Sequence, residues 1–153
     1  AGVLARVVGL FSGRGYNIES LAVAEVDQAK NISRITIVTT GTPQVIDQIK
    51  LQLKKLVPVH KVADFKREDK KVIFKEMALF KLVANISKRE KALKACKKYN
   101  ALILDKTKKS CVIQITALRR EIDVITKNLK KFGLVSVSRT GAVAMTRGSE
   151  VFK

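Results

Sequence analysis

The sequence predicts an α+β fold built twice over, on three observations. Apolar residues recur at helical spacing in four stretches, and runs rich in β-branched residues lie between them. The order of these elements in the second half repeats that of the first. A length of 153 residues holds one ordinary domain or two small ones, and 46% hydrophobic content supports a core. With 5% aromatics and no Trp, that core must be aliphatic. The charged run KREDKK at 66–71 has no apolar side chain and divides the chain into 1–66, a linker at 67–71 and 72–153.

The elements follow in order. Val3, Leu4, Val7, Val8, Leu10 and Phe11 share one arc of a helix over 3–12, which Gly13 and Gly15 stop. A strand is expected at 17–26, a loop at 27–31, and a second strand at 32–40 (ISRITIVTT). Thr42 and Pro43 suit the start of a helix over 43–56, with a stripe of Val45, Ile46, Ile49, Leu53 and Leu56. A strand at 57–65 closes the first half. The second half offers a strand at 72–84 and a helix from Ser87, with Glu90 completing a capping box. Ala92, Leu93, Cys96 and Tyr99 form that helix's apolar arc. Strands at 101–105 and 111–117 flank a turn at 106–110. A helix over 119–132 carries Ile122, Ile125, Leu129 and Phe132, ends at Gly133, and leads to a strand at 134–138. The second half therefore reads βαββαβ and the first αββαβ, its opening strand missing from this chain. Two such units are two tandem ferredoxin-like sandwiches, each an antiparallel sheet with two helices on one face. Units this small leave sheet edges open, so pairing between chains is expected.

The residues give little sign of catalysis. His60 is the only histidine and sits beside a strand, where an exposed or capped ring is expected. No cluster has metal-ligand spacing, so no metal is expected. Gly9, Gly13 and Gly15 make neither a GxGxxG nor a Walker pattern. Cys96 and Cys111 lie in apolar patterns as buried free thiols, which fits a reducing cytoplasm. The longest apolar runs fall well short of the roughly 20 residues a membrane helix needs.

The formal charge of +18 is unevenly spread. Residues 1–66 carry 9 basic and 5 acidic side chains, against 22 and 8 in 67–153. Lys88, Lys91, Lys94, Lys97 and Lys98 lie opposite the apolar arc of their helix, as on a solvated face. Charge alone licenses non-specific attraction to phosphate, so a basic nucleic-acid-binding protein on tandem ferredoxin-like domains is the alternative from another class. The arginine forks and stacking aromatics such proteins use are sparse here.

Residues 2–21 are the most informative. Gly2 stands just before a helix, where free backbone N–H groups and the helix dipole favour a carboxylate. Val3 and Leu4 would suit an aliphatic amino acid, and Asn17 offers an amide after the helix-ending glycines. A plain strand–turn–helix join accounts for the same residues, and both readings stay open on the residues alone.

Several segments resemble the ACT domains of the small, regulatory subunits of acetolactate synthase (acetohydroxyacid synthase). These are GLFSGRGYNIESL at 9–21, SRITIV at 33–38, QIKLQLKKLVPVHKV at 48–62, EMALFK at 76–81 and SRTGAVAMTRG at 138–148. The wording is most similar to alphaproteobacterial members, whose lysine-rich genomes would explain the charge. The resemblance covers nearly the whole chain and implies two ACT-type domains. It implies a non-catalytic subunit that binds and activates the large catalytic subunit. It also implies feedback inhibition by valine or another branched-chain amino acid, in branched-chain amino-acid biosynthesis. Thiamine diphosphate, Mg and FAD are then expected on the catalytic subunit and no cofactor on this chain. The implied effector site lies between the N-terminal domains of a homodimer, with Gly2, Val3 and Leu4 from one chain and Asn17 and Ile18 from its partner. An ACT sensor serving another enzyme is the remaining alternative.

Overall fold

Helices and strands alternate much as the periodicity requires. The computed structural model describes residues 2–152. In chain order the elements are α1 (Val3–Gly13), β1 (Ser20–Asp27), β2 (Ile32–Val38), α2 (Pro43–Lys54), β3 (Val72–Val83) and α3 (Ile86–Ala95). They continue with β4 (Leu102–Lys106), β5 (Ser110–Ala117), α4 (Arg119–Leu129), β6 (Leu134–Arg139) and β7 (Val143–Thr146). The fold is α+β, with the elements in ferredoxin-like order. Its two compact units are residues 1–73 with 144–153, and residues 74–143. The segment from Ala144 thus falls with the first unit, whereas the sequence reading counted it with the second domain.

In the first unit, α1 and α2 pack together over one shared core. Val7, Phe11 and Ile49 are buried there, with Ile35 and Ile37 of β2 packed against them. The α2 stripe read from the sequence lies in this cluster, and the Thr42 hydroxyl caps the helix by accepting from the Val45 N–H at 3.3 Å. The arc of α1 is narrower than the sequence suggests, because Leu4 and Val8 stay exposed. β1 and β2 form an antiparallel pair from Ser20↔Val38 to Asp27↔Ile32, with a bulge at Glu25/Asp27.

The expected strand at 57–65 does not form: the segment joins no sheet ladder. The repeat explains why. In the second unit the opening strand β3 lies between β5 and β6, in the order β4-β5-β3-β6. β1 and β2 correspond to β4 and β5, and segment 57–65 to β6. No described strand takes the place of β3 in the first unit, so segment 57–65 lacks the neighbour that would give it a ladder. An ion pair holds it to α2 instead: Lys50 Nζ lies 3.0 Å from Asp64. That hydrogen bond, and then the carboxylate's charge, raise the Lys50 pKa. A raised lysine pKa adds stability that is fully present below its unfolded value and is lost as pH climbs through the folded one.

The second unit follows its pattern more closely. β3 pairs antiparallel with β5 from Glu76↔Ala117 to Val83↔Ser110 and with β6 on its other side. Strand alternation points Ala78, Phe80 and Leu82 of β3, and Cys111, Ile113 and Ile115 of β5, into one core. Ala92 and Cys96 of α3, and Ile122, Ile125 and Leu129 of α4, close it from the helical side. Burial pushes the Cys96 thiol up, so it stays protonated and unreactive at neutral pH. The expected capping box at Ser87 is displaced. Asn85 caps α3 by accepting from the Lys88 N–H at 2.9 Å, which places Ser87 inside the first turn.

Gly133 sits where α4 turns into β6, at φ 89. A Cβ there would lie 2.5 Å from the Val83 carbonyl oxygen and 2.9 Å from the Ala84 Cβ. Gly133→Ala is expected to cost about 2–4 kcal/mol, combining backbone strain and overpacking. Thermal unfolding should show this as a fall in Tm of roughly 4–16 °C.

Candidate functional site

The residues singled out by the sequence lie at the two ends of α1. Gly2 caps its start at φ 88 and ψ 0, a left-handed conformation that favours glycine. The first turn begins with the Arg6 N–H donating to the Gly2 carbonyl at 3.1 Å. Among the described residues no side chain caps this end and no acidic residue stands in the first turn, so the first-turn N–H groups of Val3, Leu4 and Ala5 lack a side-chain partner on a positive helix terminus. A Cβ built on Gly2 meets nothing within 4 Å. The helix start is open and electropositive, and flanked by the partly exposed Leu4.

The other end is held by the strands. After Gly13 the chain turns through Gly15, with the Tyr16 N–H donating to the Phe11 carbonyl at 2.8 Å. The Tyr16 ring meets Phe11 edge-on, centroids 5.8 Å apart. The Asn17 carbonyl accepts from the Thr39 hydroxyl, and the Glu19 N–H donates to the Val38 carbonyl at 2.8 Å. The Asn17–Ile18 turn is therefore pinned to the far end of β2, with Asn17 exposed and Ile18 packed on the core of the first unit.

Within one chain these two groups do not meet. Eleven residues of α1 separate Gly2 from the turn, about 16 Å at helical rise, several times the size of an amino acid. Val3 and Ile18 both contribute to the core, while Gly2, Leu4 and Asn17 are the exposed members. A site using both ends needs the helix start of one chain beside the turn of another. Thr39, which holds the turn, escaped the sequence reading because its contact spans 22 residues. His60 is exposed on segment 57–65, and no three His, Cys, Asp or Glu side chains among the described residues gather as a metal site.

The second unit holds two buried charges that the sequence did not announce. Glu76 is 2% exposed and takes a forked contact from Arg139, whose Nη2 lies 2.6 Å from its Oε1 and whose Nε lies 2.9 Å away. Arg139 also reaches Asp123 at 2.6 Å. Burial is the largest influence on Arg139 and lowers its pKa, but the hydrogen bonds and charges of Glu76 and Asp123 outweigh it and leave the pKa raised. Arg89 is 3% exposed and donates to the carbonyls of Thr107 at 2.9 Å, Lys108 at 3.0 Å and Ser110 at 2.7 Å. The Glu76 cluster ties β3, β6 and α4 together, and the Arg89 cluster anchors the β4–β5 turn.

Comparison with known proteins gives a consistent result. The family described as an AHAS small subunit-like ACT domain matches residues 1–61, and that described as the small subunit of acetolactate synthase matches residues 75–148. The acetolactate synthase small subunit of Mycobacterium bovis is 35% identical over 147 residues, covering 96% of this chain and 86% of that protein. The chloroplastic acetolactate synthase small subunit 2 of Arabidopsis thaliana is 38% identical over 147 residues, covering 96% of this chain and 30% of that longer protein. The crystal structure of the acetolactate synthase small subunit from Thermotoga maritima matches with a TM-score of 0.84 at 32% identity, over 97% of this chain and 91% of that one.

Proposed function

The chain belongs to the acetolactate synthase small-subunit family, and from that premise we propose that it is a non-catalytic regulatory subunit: it activates the large catalytic subunit and makes it sensitive to valine or a related branched-chain amino acid. The observation that carries this reading is the uncapped start of α1, which offers three free N–H groups beside Leu4. A ligand carboxylate fits those donors and the positive end of the helix. An aliphatic side chain fits beside Leu4. The amide of Asn17, supplied by the partner chain, answers the ligand's remaining polar groups.

The two-chain requirement gives the effector a means of control. A ligand held between two chains binds the dimer and not the monomer, so it shifts population toward one arrangement of the dimer by its differential affinity. β1 supports a self-pairing surface, since it pairs with β2 on one side only and leaves Val23 and Val26 exposed. Thiamine diphosphate, Mg and FAD belong in this reading to the catalytic subunit, and the holoenzyme to the cytoplasm.

The test is to titrate a purified catalytic subunit with this chain and follow acetolactate formation with and without valine. Activation reversed by valine supports the reading, and a chain that leaves the rate unchanged overturns it. Asn17→Ala removes hydrogen bonds to a charged ligand worth about 1.5–3 kcal/mol. It should therefore raise the half-inhibiting valine concentration roughly ten- to hundredfold, with the fold intact because Asn17 is exposed and its pinning contact is made by the backbone.

A further inference from the structure

The C-terminal segment that belongs with the first unit is bound there by contacts of several kinds. The Arg147 N–H donates to the Lys71 carbonyl at 2.7 Å, and its side-chain Nε donates to the Lys70 carbonyl at 3.1 Å. The chain then turns, with the Thr146 hydroxyl donating to the Glu150 carbonyl at 2.8 Å. It then reaches Phe152, whose ring meets Phe65 edge-on at 6.4 Å. Two cations lie over that ring, Arg34 at 5.4 Å and Lys61 at 5.2 Å from its centroid. Arg34 also donates to the Phe152 carbonyl at 2.7 Å. Phe152 thus joins β2, through Arg34, to segment 57–65, which no strand ladder holds.

We propose that residues 146–152 act as a releasable clasp on the first unit, and that its grip sets the effector concentration to which this subunit responds. The second half of that statement rests on the regulatory reading above. β2 links the clasp to the effector site. Arg34 near its start is gripped by Phe152, Ile35 and Ile37 along its length support Val7 and Phe11 of α1, and Val38 and Thr39 at its end hold the Asn17 turn. A strand anchored at both ends keeps the turn in register with α1. Releasing one anchor loosens the other through the same seven residues. The clasp is releasable because it is built from half-exposed ring contacts and hydrogen bonds to backbone, with no fully buried side chain.

The experiment compares the full chain with Phe152→Ala and with a chain ending at Gly148. Amide hydrogen exchange of the isolated proteins reads the clasp without any ligand. Losing two cation–π contacts and a ring contact should speed exchange across 59–66 and β2 by roughly tenfold, with β3 and β5 unchanged. In the reconstituted holoenzyme the half-inhibiting valine concentration should rise about three- to tenfold at unchanged maximal activation. Phe152→Leu keeps apolar area without the ring and should fall between, which separates loss of the clasp from general damage. Unchanged exchange in Phe152→Ala overturns the clasp. Faster exchange with an unmoved inhibition curve overturns its link to the effector. A wild-type holoenzyme indifferent to valine counts against the regulatory reading, while the exchange result still decides whether the clasp exists.

Discussion

Gly2→Asp is expected to abolish valine inhibition while leaving activation of the catalytic subunit largely in place. Three effects act together. The new carboxylate takes the positive helix terminus that the ligand carboxylate would otherwise occupy. It places a like charge beside any anion that still binds. It also carries a Cβ at φ 88, which strains the helix start by about 1–3 kcal/mol. Space is not the obstacle, since a Cβ there meets nothing within 4 Å. The combined loss should move the half-inhibiting valine concentration by at least about a hundredfold, beyond the Asn17→Ala effect. Activation is retained because the buried residues of α1, Val7 and Phe11, lie away from the substitution. The valine inhibition curve of the reconstituted mutant is the decisive measurement. An unmoved curve would place the effector elsewhere on the chain.

A stability effect as large as that of Gly133→Ala is expected from Arg139→Ala. It strands the Glu76 carboxylate, whose side chain is 1% exposed, without its forked partner. Breaking a buried pair from one side costs about 3–5 kcal/mol, and the 30% exposure of Arg139 argues for the lower figure, about 3 kcal/mol. The double substitution Glu76→Leu with Arg139→Leu removes the buried charge along with its partner and should recover at least half of that loss. Urea unfolding midpoints of the three proteins make the comparison. If the single substitution costs under about 1 kcal/mol, water or backbone is satisfying Glu76 and the pair is not what holds β6 to β3.

What could be read from the sequence was the part governed by local periodicity. The stripes of α2 and α4, the cap at Thr42 and the stop at Gly133 each depend on neighbours a few residues away, and each is found as expected. Segment 57–65 has the composition of a strand, but a strand also needs a partner, and the ladder it would join is a non-local fact. Asn85 displaced Ser87 as the α3 cap because both residues are competent caps and the backbone decides between them. Glu76 and Arg139 lie 63 residues apart, so no spacing rule could have joined them. The candidate site was legible as two chemical groups, an open helix start and an exposed amide. That they lie about 16 Å apart in one chain emerged only from the helix itself.

The arginine under the β4–β5 turn has a consequence for how the protein is degraded. Lys106, Lys108 and Lys109 put three exposed trypsin-type bonds at this turn. Cleavage needs the backbone drawn out into an extended strand across the protease cleft, and loop tips usually allow that. Here the carbonyls of Thr107, Lys108 and Ser110 are bonded to one buried guanidinium, so extraction first has to break three charge-assisted bonds. Nicking is thereby redirected to segment 57–65 and the charged run after it, where Lys61, Lys66 and Arg67 are exposed on backbone that no ladder holds. A first cut there parts most of the first unit from an intact second one, so the fragment that outlives its parent is the one rich in lysine.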